Sequence, residues 1–143
     1  MTPVVEAYAA GKRGEALDGF LQAVAGPNYR SGPSPALPAD WYEQALADLD
    51  ALFQADLPGV QQWPFTEELA QRITQPALVV LGADSETVAP MFPEGYELLQ
   101  RWLPQAEGFV LPGATHFLQI QNPRGMAEAL AGFFARHPLP VLA

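Results

Sequence analysis

The feature that most constrains this chain is a short apolar run, ALVVL at residues 77–81, bounded by Pro76 and Gly82. A run this short and this apolar is typical of a strand buried on both faces of a parallel sheet. Residues 108–111 predict a second such strand, closed by a Pro-Gly pair. Apolar residues recur at roughly helical spacing between the two runs, so the sequence predicts a strand–helix–strand unit.

Polar residues whose side chains can take part in catalysis follow each predicted strand. Asp84 and Glu86 come after the first strand, and His116 comes after the second. A strand–helix–strand crossover makes its strands parallel, so the loops that leave them open on the same edge of the sheet. We therefore expect a carboxylate and an imidazole to lie together, as in the orienting half of a nucleophile–His–acid site.

The order and spacing of these motifs resemble the C-terminal end of an α/β-hydrolase. The matching residues are Pro76, the strand at 78–82, Asp84, Pro90, the Gly-Ala-Thr-His turn at 113–116, and Asn122 with Pro123. The tail helix MAEALAGFFARHP is similar to the last helix of that family. Residues 1–65 are similar to the helical cap that many of these enzymes insert before this part.

The resemblance implies a fold class and a division of the chain. The fold expected is α/β, with a helical cap or lid at residues 1–65. The final strand–helix–strand–helix part of a hydrolase core would then occupy residues 66–143. The resemblance also implies that His116 is the catalytic histidine and that Asp84 is its acid.

The assignment of the acid leaves alternatives open. In the family the acid most often stands three residues after the glycine of the strand, and Ser85 occupies that place here. Asp84 could instead cap a turn, and Glu86 could be the acid. In some members of the family the acid follows the sixth strand, which the resemblance implies is missing from this chain.

The nucleophile of the family is absent from this sequence. It sits in a G-x-S-x-G motif on a tight strand-to-helix turn, and no such motif occurs. The nearest string, residues 32–36 around Ser34, ends in alanine and has no predicted strand before it. The resemblance therefore implies the cap and last two strands of a hydrolase, without the nucleophile half and inactive on its own.

Aromatic residues are the candidates for substrate contact. Residues 1–65 predict short amphipathic helices joined by proline and glycine, which suits a lid with an apolar underside. We assign substrate-facing roles to Trp41, Phe53 and Trp63, and to Phe117 beside His116. The Pro58-Gly59 pair is predicted to end the helix that contains Phe53.

The last predicted helix begins at Asn122-Pro123 and stops at Pro138. Its inward-facing residues are predicted to be Met126, Leu130, Phe133 and Phe134. His137 is interpreted as a favourable charge near the C-terminus of that helix.

Composition excludes several other functions. The chain has 7 Lys and Arg against 16 Asp and Glu, a net charge of −9, which argues against binding to nucleic acid or to an anionic membrane. It has no cysteine, which excludes disulfides and a thiolate nucleophile. No metal or phosphate-binding motif occurs, so we expect no cofactor. Without a leader or a long apolar run, cytoplasmic is the default location.

Three functions remain open from sequence alone. The first is the hydrolase fragment, acting on an ester, amide or related bond of a small molecule once it is completed by the missing half. The second is a catalytically inactive module for binding or self-association, because an apolar strand at an open edge invites pairing. The third is a truncated remnant without a function.

Overall fold

Helices and one small sheet make up the protein in the computed structural model, which describes residues 2–30 and 37–138. The chain divides into two compact units, Met1–Phe65 and Thr66–Ala143. The mixed α/β class expected from sequence is confirmed by the parallel sheet and the helices around it. Ser34, rejected above as a nucleophile, lies outside the described residues.

All regular elements in the described part of the first unit are helical. Its helices are α1 (Thr2–Ala9), α2 (Arg13–Ala25), α3 (Trp41–Ala47), α4 (Leu49–Ala51) and α5 (Leu57–Gln62), with a π-helical turn at Leu52–Asp56 between the last two. The buried apolar side chains of this unit are Ala16, Leu17, Leu21, Ala25, Leu49 and Phe53.

The prediction that Pro58-Gly59 ends a helix was wrong. The π-helical turn at Leu52–Asp56 leads directly into α5, which contains both residues. Proline lacks a backbone N–H, but it is tolerated in the first turn of a helix, where that donor has no intrahelical partner. Because α5 begins at Leu57, directly after the π-helical turn, Pro58 lies in the first turn of α5.

The second unit contains the sheet. Its elements are α6 (Glu67–Ala70), β1 (Ala77–Gly82), a 3₁₀ turn at Ser85–Thr87, α7 (Met91–Trp102), β2 (Ala106–Leu111), α8 (Leu118–Gln121) and α9 (Pro123–Arg136). The strands β1 and β2 are parallel, with Ala77 paired to Ala106 and Gly82 to Leu111. The predicted strand–helix–strand unit is therefore confirmed, although β2 begins two residues earlier than expected.

Two helices of this unit begin at side-chain caps. The Thr66 hydroxyl accepts a hydrogen bond from the backbone N–H of Leu69 at 3.3 Å, before α6. The Asn122 side-chain oxygen accepts one from the N–H of Gly125 at 2.9 Å, before α9. Such caps satisfy donors that the first turn of a helix leaves free.

The inward face of α9 differs from the prediction at one position. Phe133 is buried, but Phe134 is 59% exposed. Adjacent residues on a helix point about 100° apart, so Phe134 can lie outside the buried face that Phe133 occupies. Phe134 therefore lies on the outer side of α9.

His137 lies at the C-terminus of α9, as expected, and its side chain also contacts one acidic residue. Its Nε2 atom lies 2.6 Å from Oε1 of Glu107, at the start of β2. Arg136 donates to the other carboxylate oxygen of Glu107. Hydrogen bonds from Arg136 and His137 hold the pKa of Glu107 below its usual value. These contacts tie the end of α9 to the beginning of β2.

Within residues 2–30 and 37–138, no helix is both long and apolar enough to cross a bilayer.

Candidate functional site

The loops that follow β1 and β2 lie against each other. The N–H of Ala83 donates to the carbonyl of Leu111, and the N–H of Asp84 donates to the carbonyl of Ala114, each at 2.9 Å. Gly82 makes this approach possible, since a Cβ atom there would collide with the backbone carbonyls of Ala114 and Thr115. The two polar loops predicted from sequence therefore leave the same edge of the sheet.

The turn that carries His116 is held by the side chains of α8 and α9. The Gln121 side-chain oxygen accepts from the backbone N–H of Thr115 at 2.7 Å and from its hydroxyl at 3.0 Å. The Asn122 side-chain amide donates to the carbonyl of Pro112 at 2.9 Å. Both ends of the turn are therefore fixed.

His116 combines an accessible ring with a well-defined neighbour. Its imidazole stacks on the ring of Phe92 in α7, with centroids 4.2 Å apart and planes inclined by 17°. The side chain as a whole remains exposed. Partial desolvation lowers the pKa of His116 below the ordinary 6.5. The imidazole is therefore neutral at pH 7, the state that a general base needs.

Neither acidic candidate pairs with His116 through its side chain. Asp84 and Glu86 are both exposed. Among the described residues, no hydrogen bond or ion pair joins either carboxylate to the imidazole, and the link between the loops is through the Asp84 backbone. The carbonyl of Asp84 accepts from the Thr87 hydroxyl at 2.6 Å. The role of Asp84 as the acid stays a prediction.

Ser85 is the residue of this loop that enters the protein. It is 1% exposed, and within the described residues its hydroxyl makes no hydrogen bond. It lines a pocket of ≈ 210 Å³ together with His116, Phe92 and the end of β1. The sequence analysis did not name Ser85 as a site residue, although its place three residues after Gly82 was a usable signal.

The four aromatic candidates occupy different environments. Phe117, next to His116, is half-buried, and its carbonyl accepts the first hydrogen bonds of α8. In the first unit, Phe53 is buried and stacks on Tyr8 with centroids 4.3 Å apart. Trp41 is half-buried and packs edge-on against Tyr42, whereas Trp63 is 65% exposed. Their substrate-facing roles stay predictions.

A polar cluster in the first unit was not anticipated. One oxygen of Asp18 accepts hydrogen bonds from the hydroxyls of Tyr29 and Tyr42 and from Arg30, each at 2.6 Å. Burial alone would raise the pKa of Asp18, but these hydrogen bonds outweigh it and lower that pKa. Burial and the hydrogen bond to Asp18 raise the pKa of Tyr42 to about 12. The cluster joins α2 to α3 and to the residues between them.

Another groove of the second unit lies away from His116. It has a volume of ≈ 540 Å³ and runs along the N-terminal half of α9. Its two charged side chains, Arg124 and Glu128, pair with each other at 2.9 Å. No group of three or more metal-binding side chains occurs in the part of the chain that the structure describes.

Comparison with known proteins identified no relative. No protein-family model matches the sequence. No curated protein matches it either. The resemblance to α/β-hydrolases therefore stays a prediction.

Proposed function

We propose that this chain is the cap and the C-terminal core portion of a serine-type α/β-hydrolase that acts on an ester, an amide or a related bond of a small molecule. His116 is its proton-transfer residue. The nucleophilic serine and the oxyanion donors come from a segment outside the 143 residues, since no G-x-S-x-G motif occurs within them.

One observation carries the proposal: an exposed, neutral imidazole stands at the carboxyl edge of a parallel strand–helix–strand unit. Ligands of open α/β sheets bind at this edge. The turn that presents His116 is fixed on both sides by Gln121 and Asn122. A general base needs this combination of access, neutrality and fixed position.

The chemistry assigns His116 two successive tasks. As the serine oxygen attacks the carbonyl carbon, His116 takes the serine proton. It then gives that proton to the leaving alcohol or amine, and an acyl-enzyme remains. In the second half, water attacks the acyl carbon as His116 takes a proton from it. The bond between that carbon and the serine oxygen then breaks, the acid product leaves, and His116 returns the proton to the serine oxygen.

The proposal is tested on the protein encoded by the longer reading frame. The first measurement is the DNA sequence directly before the Met1 codon, where we expect an in-frame G-x-S-x-G after a strand pattern. The protein translated from this longer frame, which we call the joined protein, should then hydrolyse p-nitrophenyl acetate. In it, His116→Ala should lower kcat/KM by about 100-fold or more. His137→Gln is the matched control and should leave turnover unchanged.

Two results would overturn this function. A stop codon close upstream of Met1 in every frame would remove the source of the nucleophile. Unchanged turnover in the His116→Ala variant of the joined protein would contradict proton transfer by the imidazole. The 143-residue chain alone should release no burst of nitrophenol in either case.

A second function is favoured by the surface of the sheet. Within the described residues the sheet has two strands, and Val110 on β2 is 49% exposed. Apolar strands with open edges pair readily with other strands. The alternative is therefore a self-associating or partner-binding module that has no catalytic role.

Sedimentation velocity on the purified chain separates this alternative from a remnant. A module should form a single discrete oligomer, and Val110→Lys should return it to a monomer because a charge on an exposed strand blocks pairing. A remnant should aggregate without a defined size. A wild-type chain that is already monomeric would rule out self-association.

A further inference from the structure

We propose that Phe92 is a positioning residue for His116 and fixes the plane in which the imidazole transfers its proton. The inference rests on the proposed function and adds to its site a residue that has no reactive group. Phe92 is the second residue of α7, and His116 lies in the turn after β2. The contact between their rings therefore joins the crossover helix to the turn that carries the imidazole.

The backbone before His116 is fixed, but its imidazole lacks a comparable hydrogen bond. The Gln121 side-chain oxygen holds the N–H of Thr115, one residue earlier, at 2.7 Å. Within the part of the chain that the structure describes, no hydrogen bond reaches either nitrogen of the His116 ring. Rotation of a histidine ring about χ2 has broad minima. A fixed backbone alone therefore leaves the ring plane of His116 undetermined.

The stack on Phe92 supplies the missing restraint. The two ring centroids lie 4.2 Å apart, and the ring planes are inclined by 17°. Rotation of the imidazole about χ2 would push one edge of the ring into Phe92 and lift the other edge away from it. Dispersion attraction falls steeply once atoms separate, so the nearly parallel orientation is the favoured one.

Phe92 is itself held on a rigid element. Its side chain is half-buried, and its backbone N–H donates to the carbonyl of Ala89 at 3.3 Å, at the start of α7. The helix continues for 12 residues from Met91 to Trp102. Side chains on regular elements are placed more precisely than side chains on loops. Phe92 therefore provides a stable surface against which the imidazole is oriented.

A contact through the ring face suits a residue that must transfer protons. The Nδ1 and Nε2 atoms of an imidazole donate and accept hydrogen bonds in the plane of the ring. Phe92 covers one face of His116 and uses neither nitrogen. One nitrogen thus stays available to the serine and the other to an acid, as the proposed reaction requires.

The orientation is tested by NMR on the purified 143-residue chain. We expect nuclear Overhauser contacts between the ring protons of Phe92 and His116, and imidazole resonances shifted by the ring current of Phe92. Phe92→Leu keeps an apolar side chain beside the imidazole but removes the flat ring, so it should abolish this shift. Phe134→Leu makes the same change at an exposed position of α9 and should leave the His116 resonances unchanged.

The effect on catalysis is tested in the joined protein. Phe92→Leu should lower kcat by about 10- to 100-fold, because small displacements of a catalytic group are costly. KM should stay nearly the same, since the contact is made with the catalytic residue. Phe92→Tyr retains a flat ring and should keep most of the wild-type kcat.

Three results would overturn the role of Phe92. Absence of the nuclear Overhauser contacts in the wild-type chain would reject the stack. An unchanged kcat in Phe92→Leu would reject a role in positioning. Recovery of the full kcat of Phe92→Leu at higher pH would show that Phe92 acts on the pKa of His116 and not on its orientation.

Failure of the proposed function would look different. A joined protein without turnover would reject the hydrolase function itself. The NMR measurements need no nucleophile, so they would still decide whether Phe92 orients the imidazole of His116.

Discussion

Two hydroxyls in the short turn after β1 are in opposite situations. The hydroxyl of Thr87 donates to the Asp84 carbonyl at 2.6 Å. The hydroxyl of Ser85 is buried without a partner. A hydrogen bond that is made stabilises a fold modestly, whereas a buried polar group left unpaired costs its full desolvation. Removal of the hydroxyl should therefore stabilise the fold at Ser85 and destabilise it at Thr87.

Ser85→Ala should raise the free energy of unfolding of the chain by about 1 kcal/mol, because it removes a buried group with no partner. Thr87→Val should lower it by about 1 kcal/mol, because it removes a hydrogen bond that is made. Urea denaturation of the two variants and the wild type measures both changes. A destabilised Ser85→Ala variant would mean that the serine hydroxyl is satisfied in solution.

At the scale of elements, the meeting of the two loops depends on one glycine. Gly82 ends β1, and a side chain there would meet the backbone carbonyls of Ala114 and Thr115, the two residues before His116. Backbone atoms cannot move aside as the tip of a flexible side chain can. The position of His116 relative to the end of β1 is therefore set by the lack of a side chain at Gly82.

Gly82→Ala should destabilise the second unit by about 3 kcal/mol, the upper range for overpacking a tight contact. It should also separate His116 from Phe92, which would move the imidazole proton resonances out of the ring current of Phe92. Thermal unfolding and NMR of the imidazole protons measure the two effects.

Gly95→Ala is the control for this substitution. It lies within α7, where a Cβ atom meets nothing within 4 Å. It should be neutral or stabilise the helix by up to about 1 kcal/mol, since alanine is the better helix former. If Gly82→Ala behaved in the same way, the close approach of the two loops would not be a constraint on the fold.

At the scale of the whole molecule, each unit contains a carboxylate that favours folding in its ionised form. Asp18 accepts three hydrogen bonds in the first unit, and Glu107 is bound by Arg136 and His137 in the second. Both pKa values are lowered on folding. The stability that each supplies is therefore present above its ordinary pKa of 3.8 or 4.5 and is lost as pH falls toward the folded-state value.

Both units should consequently lose stability below about pH 4.5. Glu107→Gln should lower the stability of the second unit at pH 7 and flatten its dependence on pH in this range. Asp18→Asn should do the same for the first unit alone. Amide hydrogen exchange, followed separately in β1 and in α2, measures the two responses between pH 7 and pH 3. Equal pH profiles for the wild type and Glu107→Gln would show that its ion pairs contribute nothing.

The parts of the fold that were predicted correctly depend on local patterns. The apolar run at residues 77–81 and the helical spacing after it predicted a strand followed by a crossover helix, and the parallel pairing followed. The expected burial of this strand on both faces was wrong: residues 77–81 are only half-buried, because the sheet has two strands within the described residues. The start of α9 at Asn122-Pro123 was predicted correctly, because the cap that Asn122 forms acts within three residues of itself. Local chemistry of this kind does not depend on the rest of the chain.

The predictions that failed depended on more than local spacing. The Pro58-Gly59 pair resembles a helix stop, but the π-helical turn before it allows the helix to continue. Phe134 fits the apolar stripe of α9, but in the structure it is exposed and only its neighbour Phe133 is buried. His137 does lie at the C-terminus of α9, as expected, but its contact with Glu107 of β2, far away in the sequence, was not predicted.

The sequence by itself determined the α/β class, the strand–helix–strand–helix order of the second unit and the arrival of the Asp84 and His116 loops at one edge of a sheet. Only the tertiary structure decided which side chain of the first loop enters the protein. It exposes Asp84, buries Ser85 and stacks Phe92 on His116. The physical reason is that the spacing of apolar residues in the sequence gives the period of a strand or a helix. The environment of a loop side chain is set by elements that pack on it from elsewhere.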